Sequence, residues 1–380
     1  MSTKFRNITL VVLASAFLFG FAFWSWFKPA DAFSESERRE LAEKPRFSLA
    51  SIFHEDSEKR FMTLFEAYSL DQFPLRDLFR SVKSVASFYL FRNMDNNGIY
   101  VQDGYAAQLE YPINEDSLTY AAGKFKGIYD RFLRNGNTKV YSAVIPDKGY
   151  FLAEQNGYLS MDYGQFFKLF REKTSFAEYI DLSGTLSLED YYKTDTHWRQ
   201  ENISDVAKAL AGGMELPYSD EYTENVLNHP FYGVYYGQSA LPLPAEEIRY
   251  LTADFMADCT VYDHQNGKEI SFYDMEKAVG KDPYQMFLSG NLSVVTIENP
   301  NASTERELIV FRDSFGSSLL PLLAQSYRKI TVVDIRYVPS ANLGILRDGR
   351  TGKLLIDFRN ADDVLFLYST LVLNNSSALR

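Results

Sequence analysis

A serine, and a histidine with an aspartate beside it, are the residues of this chain whose types could perform covalent chemistry together. Asp195 and His197 lie two residues apart in the string YYKTDTHWRQEN, and Ser314 follows Asp313 in the string LIVFRDSFGSS. A serine hydroxyl becomes a good nucleophile when an imidazole accepts its proton and a carboxylate orients that imidazole. We therefore predict that Ser314 is a nucleophile, that His197 is its general base, and that Asp195 orients His197.

The elements around these strings indicate how the side chains would meet. An apolar strand at 308–311 runs into a tight turn, and a helix begins at Gly316. Such a turn raises a serine above the carboxyl ends of parallel strands, where open α/β sheets form their clefts. The backbone N–H groups of Ser314 and its neighbours are expected to form an oxyanion hole there. Trp198, beside His197, is expected to line the pocket or to stack on a sugar ring.

Other interpretations of the same strings remain open. Taken singly, Asp313 with Ser314 would be an ordinary helix cap, and the Asp195 string would be an ordinary surface loop. A metal site through Asp195 and His197 would need further ligands. The other histidines have no paired spacing: His54, His229 and His264. The sequence therefore predicts neither a metal nor another cofactor.

The N-terminal segment 8–27 is an apolar run without a charged residue. As a helix it would be about 30 Å long, the thickness of a bilayer's hydrocarbon core. Lys4 and Arg6 precede it, which favours a cytoplasmic N-terminus. A signal peptide cleaved after Ala32, where Ala30 and Ala32 have the small-x-small pattern, is the rival interpretation, but the run exceeds the usual core of about 7–15 residues. We predict an uncleaved single-pass anchor, with the rest of the chain outside the cytoplasm.

Composition excludes several other classes of protein. The 380 residues carry a formal net charge of −11, with 39 Lys and Arg against 50 Asp and Glu. No basic run is present, so we predict no nucleic-acid partner. Cys259 is the only cysteine, which excludes an intrachain disulfide.

The pattern along the chain predicts three parts: a cytoplasmic tip and anchor over 1–32, a helical stalk over 33–95, and a catalytic domain over 96–380. In the stalk, Ser34 and Glu37 have the spacing of a capping box that would begin a short helix. Apolar residues with helical spacing predict a second helix over 61–68, whose aromatic rings are expected to pack as core.

Beyond residue 97, apolar strands alternate with amphipathic helices, which is typical of an open, mostly parallel α/β sheet with flanking helices. A β-rich insertion is predicted at about 215–300, with a hairpin turn at Asn266 and Gly267. The predicted strands are 139–145, 179–182, 308–311, 330–335 and 364–368, and the predicted helices are 116–133, 161–171, 199–210 and 316–327.

The TDTHW and FRDSFG strings, together with AVIPDKGYF, FYGVYYGQSA and VVDIRY, resemble the DHHW family. A more distant resemblance is to the alginate acetylation proteins of the SGNH hydrolase-like superfamily. It implies a flavodoxin-like, SGNH hydrolase-like sheet in which the Asp/His string precedes the serine. This chain has Asp-Thr-His where the family name has Asp-His-His, and Arg312 where a glycine usually precedes Asp-Ser. The remaining oxyanion or substrate groups are expected among Arg336, Gln238 and Tyr236.

Two functions follow from the resemblance. The first is an extracytoplasmic, serine-dependent O-acetyltransferase or acetylesterase acting on a cell-surface or secreted polysaccharide. Relatives of this kind often work beside a membrane-bound O-acyltransferase, so such a partner is expected. The second is a non-catalytic polysaccharide-binding or assembly protein that keeps the fold and uses the cleft only for binding.

Overall fold

A computed structural model describes residues 3–93 and 97–380 of the chain. The chain divides into two compact units. The first unit contains Met1–Asn97 and the short segment Tyr236–Pro242, and the second contains Gly98–Tyr235 and Leu243–Arg380. No motif or change of composition in the sequence indicates that residues 236–242 group with the N-terminal part of the chain.

The first unit is mainly helical in its described residues. Its helices are α1 Thr3–Phe27, α2 Leu49–Ile52, α3 Phe61–Asp71 and α4 Arg76–Val85, and its strands are β1 Phe33–Ser34 and β2 Arg39–Glu40. Helix α1 contains the predicted membrane segment. It is long and apolar enough to span a bilayer, and none of its described residues is buried within the protein.

Two expectations for the stalk are wrong. The predicted helix from Ser34 is instead the antiparallel pair β1–β2. The Ser34 hydroxyl does accept the N–H of Glu37 at 3.2 Å, but Arg38 has a φ of +54°, which takes the chain out of the helical region. The predicted helix over 61–68 forms as α3, yet none of its residues is buried, so its aromatic rings are not core.

The second unit contains the remaining strands and helices of the described chain. Its strands are β3 Ile99–Gln102, β4 Tyr105–Gln108, β5 Lys139–Ile145, β6 Glu178–Tyr179, β7 Thr223–Phe231, β8 Glu246–Thr252, β9 Thr260–Asp263, β10 Lys268–Ile270, β11 Val294–Glu298, β12 Glu307–Arg312, β13 Lys329–Val333 and β14 Asp363–Ser369. The helices are α5 Glu115–Ile128, α6 Gly149–Leu152, α7 Tyr163–Lys173, α8 Ser204–Gly213, α9 Val234–Ser239 (which continues into the first unit), α10 Met275–Ala278, α11 Gly316–Leu323 and α12 Thr370–Asn374.

The central sheet has the strand order β10-β9-β11-β13-β12-β14-β5-β6. Strands β13, β12, β14, β5 and β6 run parallel, whereas β11, β9 and β10 pair antiparallel. The region predicted as an insertion therefore divides. Strands β7 and β8 form a separate hairpin, and β9 to β11 extend the sheet, with the predicted turn at Gly267 in place at a φ of +68°.

Apolar residues cover both faces of the sheet, because alternate residues of a strand point to opposite sides. In β14, Leu365 and Leu367 pack in the hydrophobic cluster that contains residues of α8 and α11. Phe366 and Tyr368 pack in the other cluster, with residues of α5 and α7. Helices on both faces of a mostly parallel sheet are the predicted α/β arrangement, which is confirmed.

Two predicted helices are shorter than expected. The helix predicted from 199 begins at Ser204, because residues 200–202 form a 3₁₀ turn. The helix predicted to reach 327 ends at Leu323, where the side chain of Asn299 donates to the carbonyl of Ala324 at 2.9 Å. That hydrogen bond satisfies a carbonyl that a longer helix would have paired.

A buried carboxyl group joins the end of β4 to α12. Glu110 is 6 % exposed and accepts hydrogen bonds from Gln108 at 2.7 Å and from Asn374 at 2.9 Å. Burial raises the pKa of Glu110 to about 7, although these amide donors favour the charged form. A carboxyl group whose pKa is raised by folding stabilises the folded state at low pH and loses that contribution when it ionises.

We predict that Glu110→Gln reduces the loss of stability between about pH 4.5 and pH 7.5. In the wild type, the contribution of Glu110 is complete below its unfolded pKa near 4.5 and disappears as the pH rises through about 7. The glutamine cannot ionise. Between about pH 4.5 and pH 7.5 the unfolding free energy of the variant should therefore rise by roughly 1–3 kcal/mol relative to that of the wild type. Urea unfolding at both pH values measures it, and exposed Glu115→Gln is the control that should show no such shift.

Candidate active site

Ser314 lies in the turn between β12 and α11, at the carboxyl edge of the parallel strands. The buried side chain of Asp313 holds this turn. One carboxylate oxygen accepts the N–H of Phe315 at 3.1 Å, and the other accepts the N–H and the hydroxyl of Ser369 at 2.7 and 2.6 Å. Because Ser369 is the last residue of β14, Asp313 fixes the serine turn to the neighbouring strand.

The three side chains predicted to act together form one chain of hydrogen bonds. The Ser314 Oγ lies 2.7 Å from His197 Nε2, and His197 Nδ1 lies 2.6 Å from Asp195 Oδ1. The second oxygen of the buried Asp195 carboxylate accepts the N–H of Val234 at 2.8 Å. With Nδ1–H donated to Asp195, Nε2 has a lone pair directed at the Ser314 hydroxyl, so the geometry suits proton transfer from the serine.

Backbone contacts on both sides hold the loop that carries Asp195. The Glu246 carboxylate accepts the N–H of Lys193 at 2.8 Å and the N–H of Thr194 at 2.7 Å. The Thr194 hydroxyl accepts the N–H of Gly233 at 2.9 Å. A Cβ atom at Gly233 would lie 2.3 Å from the Cα of Asp195, a distance that no side chain tolerates. The close approach of these two segments therefore requires glycine at this position.

Lys148 also holds the loop that carries Asp195. It is 2 % exposed, and its Nζ donates to the carbonyl of Tyr192 at 2.9 Å and to that of Lys193 at 3.3 Å. Burial lowers the pKa of Lys148 to about 7, while the nearby carboxylate of Asp195 opposes that change. The sequence reasoning missed this residue. Lys148 follows the carboxyl end of β5, at the edge of the sheet where clefts form, and this position could have identified it as a residue near the site.

Aromatic rings enclose the imidazole of His197. The ring of Tyr284 stacks on it at 3.8 Å between centroids, and Phe315 lies 5.0 Å away. The His197 side chain is 13 % exposed, and Ser314 is half-buried. A site this enclosed keeps its hydrogen bonds in a medium of low dielectric constant, where they are stronger than in water. Tyr284 carried no signal in the sequence, because it lies thirty residues before the serine turn, in a short 3₁₀ helix over Pro283–Met286.

The expectation that Trp198 lines the pocket or stacks on a sugar ring is wrong. Trp198 has no exposed surface, and its indole N–H donates to the Ser318 hydroxyl at 2.8 Å. The hydroxyl groups of Ser318 and Tyr284 are also 2.8 Å apart. The hydrogen bond to Ser318 anchors the His197 loop to α11. Because the ring has no exposed face, it cannot stack on a ligand.

The expected oxyanion donors are only partly free. The N–H groups of Phe315 and Gly316 donate to the side chain and the carbonyl of Asp313, at 3.1 Å each. The N–H of Ser317 donates to the carbonyl of Ser314, also at 3.1 Å. The neighbours of Ser314 therefore use their N–H groups to form the turn and open the helix, which leaves the N–H of Ser314 itself as the candidate donor.

Arg312, at the position where the family usually has glycine, does not fill the turn. It is fully buried, and its guanidinium lies 3.3 Å from the carbonyl of Gly290 and 3.5 Å from Asp334 Oδ2. A Cβ atom at Gly316 would lie 2.9 Å from the Cβ of Arg312. The side chain of Arg312 thus runs past the start of α11, and Gly316 leaves room for it.

The other predicted site residues are placed differently. Arg336 follows β13, at the same edge as Ser314, but its Nε and Nη2 bind Asp334 at 2.9 and 2.6 Å. Tyr236 and Gln238 belong to the first unit, where the carbonyl of Gln238 accepts from Asn97 at 3.1 Å. Substrate or oxyanion roles for these three residues stay predictions. The described residues contain no group of three or more His, Cys, Asp or Glu side chains placed to hold a metal ion.

Comparison with solved structures gives the fold of the chain. A DHHW family protein from Eubacterium siraeum superposes with a TM-score of 0.59 at 20 % identity, over 75 % of this chain and 94 % of that one. The two share one fold. Bacillus cereus PatB1 gives a TM-score of 0.55 at 20 % identity, over 72 % of this chain and 96 % of PatB1. The predicted resemblance to the DHHW family and the predicted α/β fold agree with both.

A weaker likeness is to the O-acetyltransferase domain of Pseudomonas putida AlgJ. Its TM-score is 0.44 at 12 % identity, over 73 % of this chain and 92 % of that one, which is too low to support an argument. No protein-family profile and no curated protein matches the chain.

We predict that Gly233→Ala greatly slows the reaction of Ser314 with a sulfonyl fluoride. The new methyl group must displace the Asp195 backbone, which breaks the contacts that fix the His197 loop. Displacements of about 1 Å in a catalytic group cost on the order of 100-fold in rate. Mass spectrometry of the sulfonylated protein against time measures the rate. Gly123→Ala in α5, where a Cβ atom meets nothing within 4 Å, is the matched control. Equal labelling rates in the two variants would contradict the role assigned to this contact.

Proposed function

We propose that this chain is an extracytoplasmic serine-dependent O-acetyltransferase or acetylesterase that acts on a cell-surface or secreted polysaccharide. In the first step, the Ser314 Oγ attacks the acetyl carbonyl of a donor, and His197 Nε2 takes the hydroxyl proton. The leaving group receives that proton, and an acetyl-serine ester remains. In the second step, His197 takes a proton from a sugar hydroxyl or a water, whose oxygen then attacks the ester and restores Ser314.

The observation that carries this proposal is the unbroken hydrogen-bond chain from Ser314 Oγ through His197 to Asp195, with lengths of 2.7 and 2.6 Å. A nucleophile, a base and an orienting carboxylate in line are the parts that acyl transfer requires. The choice of acetyl groups and of a polysaccharide rests on the resemblance in the TDTHW and FRDSFG strings. PatB1 has also been solved with a sulfonyl adduct, a group that activated nucleophiles accept.

Location and partner belong to the same proposal. We infer that α1 stays attached as a signal anchor, because its apolar run is too long for a usual signal core and Lys4 and Arg6 precede it. The catalytic domain then lies outside the cytoplasm, where activated acetyl donors are scarce. A membrane-bound O-acyltransferase that exports acetyl groups would supply the donor, as the resemblance implies.

We predict that Ser314→Ala abolishes hydrolysis of a small acetyl ester such as 4-nitrophenyl acetate. The alanine has no hydroxyl to form the ester, so the rate should fall at least about 1,000-fold. Ser317→Ala, three residues along the chain in α11, is the matched control: its buried hydroxyl has no hydrogen-bond partner among the described residues, and removing it should change the rate less than about two-fold.

The outcome also separates the two candidate functions. An acetylated Ser314 peptide found by mass spectrometry after a brief reaction supports the enzyme. If wild type and Ser314→Ala behave alike and no acetylated peptide forms, the chain is a polysaccharide-binding or assembly protein and the enzymatic proposal is withdrawn.

We predict that Trp198→Phe lowers acetyl transfer to an oligosaccharide and hydrolysis of the small ester by the same factor. The phenylalanine keeps most of the buried volume but lacks the N–H that binds Ser318, so the His197 loop loses one anchor. A loss of about ten-fold in both assays is expected from the imperfect positioning of His197. A selective loss of transfer would instead mean that the indole contacts the acceptor. The ratio of the two rates therefore serves as an internal control.

A further inference from the structure

The first unit exposes many large apolar side chains outside α1. Leu78 and Val82 of α4 are 56 % and 57 % exposed, and Met62 and Leu70 of α3 are 66 % and 64 % exposed. Leu90 and Phe91, which follow α4, are also more than two-thirds exposed. Single exposed apolar residues are normal on a protein surface, but a run of them over two successive helices indicates contact with something other than water.

Helix α4 has its polar and apolar faces reversed relative to a helix of a water-soluble protein. Arg76, Arg80 and Ser84 are spaced by four residues and therefore share one face. Arg76 and Arg80 bind the carboxylate of Glu37 at 2.5 and 3.1 Å, and Arg80 also donates to the carbonyl of Gly237 at 2.7 Å. The hydroxyl of Ser84, which is fully buried, donates to the carbonyl of Ser239.

The opposite face of α4 is apolar and points away from the unit. At 100° per residue, Leu78, Val82 and Val85 lie on average about 170° from the stripe of Arg76, Arg80 and Ser84. Ordinary surface helices bury the apolar stripe and expose the charged one. In α4, Arg76 and Arg80 are paired with Glu37 inside the unit, so their charges do not need water on the outer side.

Ring contacts fix the position of this surface along α1. Phe21 of α1 stacks on Phe73 at 5.4 Å and contacts Phe79 at 5.7 Å. Phe21 lies six residues before Phe27, the end of α1, which is about 9 Å along the helix axis. When α1 spans a bilayer, Phe73 and Phe79 must therefore lie below the level at which α1 emerges. Helices that lie in the membrane interface reach a similar depth of about 5–10 Å.

We propose that α3, α4 and the turn between them lie in the outer interface of the bilayer, with Leu78 and Val82 among the acyl chains. The occupant of this surface is lipid, because the surface is continuous with the lipid-facing side of α1 through the Phe21 contacts. The proposal requires α1 to span the membrane, as the proposed function also does, but it does not require catalysis. Under this proposal the N-terminal unit binds the membrane surface through α3 and α4, in addition to the anchor formed by α1.

The test uses the full chain in vesicles of phosphatidylethanolamine and phosphatidylglycerol, with a fluorophore on a single introduced cysteine. Burial raises the pKa of the natural Cys259 thiol to about 12, so it reacts slowly, and Cys259→Ala removes it from the background. The variants are Leu78→Cys and Val82→Cys on the outer face. Asp77→Cys is the matched control, because Asp77 is a neighbouring residue of the same helix with a 61 % exposed polar side chain.

The expected result is strong quenching at positions 78 and 82 by lipids brominated near the carbonyl group, with blue-shifted emission and little quenching by aqueous iodide. Position 77 should show the reverse order, so the ratio of lipid to iodide quenching differs several-fold. Iodide quenching at 78 and 82 as strong as at 77 would overturn the proposal. Protection from both quenchers, with disulfide cross-links that an added oxidant forms between copies of the unlabelled Leu78→Cys protein, would also overturn it and assign the surface to a second copy of the chain.

Esterase activity measured in the same vesicles separates this proposal from the proposed function. None of the three labelled positions lies in the hydrogen-bond chain of Ser314, so hydrolysis should be unchanged in each variant. Absence of hydrolysis in the wild type would remove the enzymatic proposal and leave the quenching result as it stands.

Discussion

A carboxylate that is buried must have its oxygens hydrogen-bonded, and the arrangement of the candidate site follows from this requirement at Asp195. One oxygen binds the imidazole of His197 and the other binds the N–H of Val234. To supply that N–H, the chain at 233–234 must approach the Asp195 backbone so closely that only glycine fits at position 233. The same carboxylate thus orients the imidazole and fixes where a distant segment of the chain must lie.

A second buried carboxylate fixes the position of Ser314. Asp313 takes the N–H and hydroxyl of Ser369 and the N–H of Phe315, so the turn that carries Ser314 is tied to the end of β14. Because β12 and β14 are parallel neighbours, their carboxyl ends meet at one edge. Ser314 therefore lies at the end of two paired strands, whereas His197 lies on a loop that Glu246, Lys148 and Trp198 hold in place.

The two units differ in where their apolar side chains lie. In the second unit, two apolar clusters cover the two faces of the sheet, as water requires. In the first unit, α4 keeps Arg76 and Arg80 inside against Glu37 and turns Leu78 and Val82 outward. One rule explains both arrangements: apolar side chains lie where they avoid water. For the second unit that place is the core, and for the outer face of α4 it is lipid under our proposal.

The sequence by itself determined that the N-terminal helix is apolar enough to span a membrane, which strands run parallel, and which serine, histidine and aspartate could meet, because periodicity and local motifs depend on neighbouring residues. Only the tertiary structure decided that Trp198 is buried, that Tyr284 stacks on His197 and that Lys148 supports the loop. It also decided that β9 to β11 join the sheet. These features join residues tens of positions apart, and an aromatic or charged side chain has the same local pattern whether it meets solvent, a ligand or its own protein.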